Sequence, residues 1–155
     1  IWFKPTGWRP ENFEEKYPVT KISDVYHFEK YGTQHSKKLM YWSIFQALVT
    51  LLLITYLYDS IGTIGLPHVF VYGAFIFVTV YSYTELMDAR KTAVFWEALR
   101  FLFAMGLLYF YGDWFGLTHL LPMSTFILIG YFSISLAMSI YFVAVDFEKE
   151  KIALA

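Results

Sequence analysis

Residues 39–58 are twenty positions without a charged side chain, and no other feature limits the fold of this chain so strongly. At about 1.5 Å rise per residue, a helix of that length crosses a hydrocarbon core of about 30 Å. Three further apolar runs follow at about 68–86, 93–111 and 121–145, so the sequence predicts four transmembrane helices. Composition agrees, because 57% hydrophobic and 22% aromatic residues against 16% charged ones lie outside the range of ordinary soluble domains. The fold expected is all-α and integral to a membrane, with the four helices paired as two hairpins.

Basic residues set the expected orientation, since they decide topology more strongly than acidic ones. Lys4, Arg9, Lys16, Lys21, Lys30, Lys37 and Lys38 precede the first run, Arg90, Lys91 and Arg100 belong to the middle of the chain, and Lys149 and Lys151 close it. The segments 59–67 and 112–120 hold no Lys or Arg. Four crossings with both termini cytoplasmic place every positive charge on one side. Tyr41, Trp42, Tyr81, Tyr83, Trp96 and Tyr141 are then expected at the inner interface, and Tyr56, Tyr58, Tyr109, Tyr111 and Trp114 at the outer one.

Residues 1–38 read as a cytoplasmic or interfacial linker, with the spans filling 39–145 and a charged cytoplasmic tail at 146–155. Pro5, Gly7 and Pro10 favour turns at the start, a short helix is expected after Pro10, and Pro18 ends it. Tyr26, Phe28 and Tyr31 are expected to lie on a membrane or a partner. Residues 59–67 are expected to form a turn rich in glycine and proline. The chain opens on Ile1 without a basic and then apolar leader, which reads as a piece or a processed product of a longer protein. Small residues at Gly130, Ser133 and Ala137, with Ser135 and Ser139 on a neighbouring face, are expected to pack inward against Gly73, Ala74, Ala104 and Gly106. A weak tandem repeat is also visible, for Gly65-Leu66-Pro67-His68 and Gly116-Leu117-Thr118-His119 both follow an aspartate.

A net charge of −1 without a large basic patch argues against nucleic acid as a partner. The absence of cysteine excludes disulfides, thiolate zinc sites and iron–sulfur clusters. Glycine-rich phosphate loops, dinucleotide fingerprints and G-x-S-x-G are missing, which leaves nucleotide-binding and hydrolase readings without support. His27, His35, His68 and His119 fit no metal motif, and ordinary interfacial histidines are the simpler expectation. A haem held between His68 and His119 is the alternative.

The charged stretch between the second and third runs carries the most chemical information. It holds Glu85, Asp88, Arg90 and Lys91, then Glu97 and Arg100 three residues apart on one helix face. An ion pair lowers the cost of placing each charge within a membrane. Arg100 is expected to reach back to the inner interface while bonded to Glu97, and on toward Glu85 or Asp88. Alternatively, Glu97, Arg100, Glu85, Asp88 and Arg90 contact a lipid or substrate headgroup. No nucleophile or metal motif accompanies them, so the residues alone describe a noncatalytic four-helix membrane unit.

Two stretches carry a family resemblance. Phe3-Lys4-Pro5-Thr6-Gly7-Trp8-Arg9-Pro10 followed by Lys16-Tyr17-Pro18 resembles the linker after the histidine-rich catalytic part in the sterol desaturase and alkylglycerol monooxygenase group of the fatty acid hydroxylase superfamily. Leu86-Met87-Asp88-Ala89-Arg90 through Trp96-Glu97-Ala98-Leu99-Arg100 is similar to the polar link of that group's carboxy-terminal membrane region. The resemblance covers about residues 1–115. It implies a parent enzyme that is a nonhaem di-iron oxygenase acting on lipids with O₂. The histidine boxes of that group are absent here, so no iron ligand transfers to any residue. The chain would be an accessory region packed beside the catalytic part, in a bacterial cytoplasmic membrane or the endoplasmic reticulum. The competing expectation is an independent small membrane protein, either a binding subunit or a haem-carrying redox anchor.

Overall fold

Ser36 starts the first helix of the computed structural model, which describes residues 8, 24, 26 and 36–147. Its side-chain oxygen accepts from the Leu39 N–H at 3.2 Å, satisfying one of the orphan donors at a helix start. From there α1 runs Lys37–Ile64, α2 His68–Met87, α3 Ala93–Tyr111 and α4 Ser124–Tyr141. A wider turn at Phe142–Asp146 continues α4. All regular structure among the described residues is helical. Four helices are long and apolar enough to cross a membrane, and each buries only 28–33% of its most apolar window within the chain. The remainder is an apolar surface suited to lipid, including Leu52, Phe70, Phe77, Tyr109, Phe110 and Phe126.

The first helix is longer than the 39–58 expected from the charge-free run. Lys37 and Lys38, assigned to the linker because of their charge, lie within α1 because Ser36 caps the turn that contains them. At the other end, Asp59 and Ser60 continue the helix and Gly62 is accommodated inside it. Gly65 ends it at φ +67°, and the Gly65 N–H still donates to the Ile61 carbonyl at 3.2 Å. Gly112 ends α3 in the left-handed region, with its N–H bonded to the Leu108 carbonyl at 3.0 Å. The apparent repeat has no structural counterpart, since His68 opens α2 whereas Leu117–His119 is a single 3₁₀ turn ahead of α4.

Two apolar clusters hold the helices. At one end Leu39, Leu86, Ala93, Phe142 and Phe147 bring together the start of α1, the end of α2, the start of α3 and the segment after α4. Ser36 Oγ donates to Asp146 at this same end. Toward the other end, Phe75 packs edge-on against Phe103, Trp114 and Phe132, with ring centroids 4.9–5.7 Å apart. Trp114 was expected in an outer aromatic belt, yet it is fully buried. Its indole N–H donates to the Tyr72 hydroxyl at 2.8 Å, which donates to the Leu53 carbonyl at 2.9 Å. With its polar edge satisfied by Tyr72, the ring has no reason to stay at an interface.

The expected inward face of α4 is also different. Ser133 and Ala137 are exposed, and a Cβ added at Gly130 would meet nothing within 4 Å. Ser135 and Ser139 are buried as expected, and Leu128 and Phe132 share their face of α4, because the aromatic core needs Phe132 and the charged cluster needs Ser135. Ala104 is buried as expected, while Ala74 is exposed.

By residue contacts the chain divides into Ile1–Gly32 and Thr33–Ala155. Within the first unit, the Tyr26 N–H donates to Asp24 Oδ1 at 2.8 Å, and the Tyr26 side chain is exposed. The expected short helix after Pro10, the surface role of Phe28 and Tyr31, His27, His35 and the tail from residue 148 onward lie outside the described residues.

Candidate functional site

Arg100 has no exposed surface and Glu97 has 2%. They sit on one face of α3, and Arg100 Nη2 donates to Glu97 Oε1 at 2.5 Å. Helix α1 supplies Gln46, whose Oε1 accepts from Arg100 Nη1 at 3.1 Å and from the Tyr131 hydroxyl of α4. The Ser135 hydroxyl, also on α4, accepts from both Arg100 Nη2 and Gln46 Nε2. From α2, Ser82 Oγ donates to Glu97 Oε2 at 2.5 Å. The guanidinium carbon also lies 5.7 Å from the Tyr131 ring centroid and 5.6 Å from that of Phe132. All four helices therefore converge on one buried ion pair. Arg100 Nε is the single polar atom of this cluster that is buried without a partner.

This geometry replaces the expected path of Arg100. The side chain turns inward and bonds Gln46 and Ser135 rather than Glu85 or Asp88, because these acceptors inside the bundle satisfy its terminal nitrogens. Glu85 belongs to a separate cluster at the α2–α3 link. Its Oε1 accepts from Arg90 Nη1 at 3.1 Å, and its Oε2 from the Thr92 hydroxyl at 2.5 Å. Asp88 lies 3.9 Å from Arg90 Nε, and both of these side chains are more than half exposed. The five charged residues thus form two groups, one sealed and one at the surface. Gln46, Tyr131 and Ser82 escaped the sequence reading. An amide inside a charge-free span was the available signal for Gln46.

A second feature lies at the opposite end of the helices. A cleft of about 600 Å³ is lined by Tyr56, Asp59, Ser60, His68, Tyr111, Asp113, Phe115 and His119, among others. Both of the histidines considered as haem ligands line it. His68 Nδ1 is bonded to the Tyr111 hydroxyl at 2.6 Å, and the two rings meet edge-on at 5.3 Å. Asp113 is fixed by the Thr118 hydroxyl at 2.6 Å and the Gly116 N–H at 2.9 Å. Burial pushes its carboxyl up, but the bonds from Thr118 and Gly116, with His119 nearby, outweigh this and hold it below the ordinary carboxylate range.

Among the described residues no three His, Asp or Glu side chains come together in a way that could hold a metal ion. The described residues therefore do not fit the di-iron centre that the family resemblance implies. No family model, curated protein or solved structure matches this chain.

Proposed function

We propose that this chain is a noncatalytic helical membrane unit that anchors and packs beside the histidine-rich catalytic part of a lipid-modifying di-iron oxygenase, of the sterol desaturase and alkylglycerol monooxygenase type. The two hairpins cross a bacterial cytoplasmic or endoplasmic reticulum membrane with both termini cytoplasmic. Iron and oxygen chemistry belong to the other part of the protein. The observation that carries the noncatalytic reading is the bonding of the charged cluster within the chain, which leaves only Arg100 Nε over. Both oxygens of Glu97 and both terminal nitrogens of Arg100 bond to side chains of this chain. A pair so enclosed fastens helices together and has little left to offer a substrate headgroup.

The exposed Arg90 and Asp88 at the α2–α3 link remain the residues available to a headgroup or to the catalytic part. The test is genetic and then biochemical. The coding sequence upstream of Ile1 is expected to contain H-x-x-x-H and H-x-x-H-H boxes, and a start codon directly before Ile1 overturns the reading. Deleting residues 36–147 from the full protein is expected to abolish lipid turnover by loss of membrane integration. Undiminished turnover by that deletion removes the anchoring role.

A further inference from the structure

We propose that the cleft at the Asp59–Asp113 end of the bundle binds an organic ammonium group, carried either by a lipid headgroup or by a free amine. The site stands whether or not the chain accompanies an oxygenase.

Its volume of about 600 Å³ is that of an ordinary small-molecule pocket. Its lining sets two carboxylates beside two imidazoles, His68 and His119, and holds no Lys or Arg. Asp59, in the last turns of α1, and Asp113 supply the two carboxylates, while residues 59–67 and 112–120 contain no Lys or Arg. Asp113 is already held by Thr118 and Gly116, but the Asp59 carboxylate makes no hydrogen bond or ion pair among the described residues. An anionic ligand is disfavoured by this charge. A bare divalent metal also fits poorly, because no three candidate ligands converge.

The walls favour a cation with an apolar shell. Tyr111 and Phe115 lie with ring centroids 4.6 Å apart, and Tyr56, whose hydroxyl donates to the Phe115 carbonyl at 2.9 Å, faces the same cleft. Aromatic faces beside a carboxylate are the recognised means of holding alkylated ammonium groups. Ser60 supplies an independent indication. It lines the cleft and is only 9% exposed, yet its hydroxyl has no hydrogen-bond partner among the described residues. That hydroxyl is thus free to bond a polar group held in the cleft.

The test uses the full chain in nanodiscs of phosphatidylglycerol, with tetramethylammonium titrated at constant ionic strength and heat as the readout. Saturable binding is expected. Asp59→Asn is expected to weaken it by about tenfold, the loss of one charge contact beside the aromatic walls. Among the described residues Asp59 bonds to nothing, so this variant is expected to keep the fold, which circular dichroism verifies. Lys91→Gln, at the other end, is expected to leave affinity unchanged. An absence of saturable binding, or equal affinity in Asp59→Asn, overturns the proposal. Repeating the titration in phosphatidylcholine nanodiscs assigns the source: competition by the lipid identifies a headgroup site, and unchanged affinity identifies a site for free amines.

Discussion

Removing the Arg100 side chain would leave Glu97 as a buried carboxylate with only Ser82 to bond it. Arg100→Leu is therefore expected to destabilise the bundle by about 3–5 kcal/mol, the usual cost of orphaning one member of a buried pair. The double change Glu97→Leu with Arg100→Leu is expected to recover most of that loss. Gln46, Ser135 and Tyr131 keep their bonds to one another, and apolar side chains fill the gap without desolvating a charge. Unfolding in mixed detergent micelles measures both, and a double variant no more stable than Arg100→Leu would show the pair to be net stabilising. Asp113 behaves differently because it lies in a loop outside the helices. Its carboxyl is held below the ordinary value, so its contribution is fully present above the unfolded pKa of about 3.9 and disappears as pH falls through the lower folded value. Thr118→Val removes the strongest of the bonds that lower it. The carboxyl is then expected to titrate at higher pH, so acid loss of the loop begins earlier, and a carboxyl-carbon NMR titration of both proteins reads the difference.

Glycines within and beyond the helices should respond to alanine with opposite signs. Gly62 lies inside α1 with nothing within 4 Å of an added Cβ, so Gly62→Ala is expected to stabilise by about 0.5–1 kcal/mol. Gly112 ends α3 at φ +79°, where Gly112→Ala is expected to cost about 1–2 kcal/mol. Thermal unfolding in the same micelles checks the pair, and equal effects would contradict the helix end at Gly112. Four long apolar helices were legible in the sequence because spanning length and lack of charge are local properties. The end of α1 was not, since Asp59 and the glycines were weighed as turn signals while helical continuation to Ile64 satisfied the backbone. Which faces pack was also hidden. In chains whose outside is as apolar as their inside, hydrophobicity does not mark the inward stripe, so Gly130, Ser133 and Ala137 read as an interface while Phe132 and Ser135 form it. Glu97 and Arg100 were legible as a pair by spacing alone. Their partners required knowing that Gln46, 54 residues from Arg100 and in another helix, comes to the same depth.

At the scale of the whole bundle, charge sorts by end. Lys37 and Lys38 flank Leu39, while Arg90 and Lys91 precede Ala93, and Leu39 and Ala93 belong to one cluster with Leu86 and Phe142. The opposite end carries Asp59, in the last turns of α1, and Asp113, in a loop, and residues 59–67 and 112–120 hold no Lys or Arg. Because contacts gather four helix boundaries at the basic end, any crossing of a membrane by these helices puts Lys37, Lys38, Arg90 and Lys91 on one face together. Translocating that end would carry the excess of positive charge across, which insertion disfavours. The chain has no cysteine, so single cysteines report position without interference. In intact cells, Thr63→Cys and Thr118→Cys are expected to react with an impermeant maleimide, and Lys91→Cys only after lysis. The reverse pattern would invert the assigned orientation. Labelling of Thr63→Cys and Lys91→Cys from the same side would be more damaging, because it would mean that α2 does not cross the bilayer.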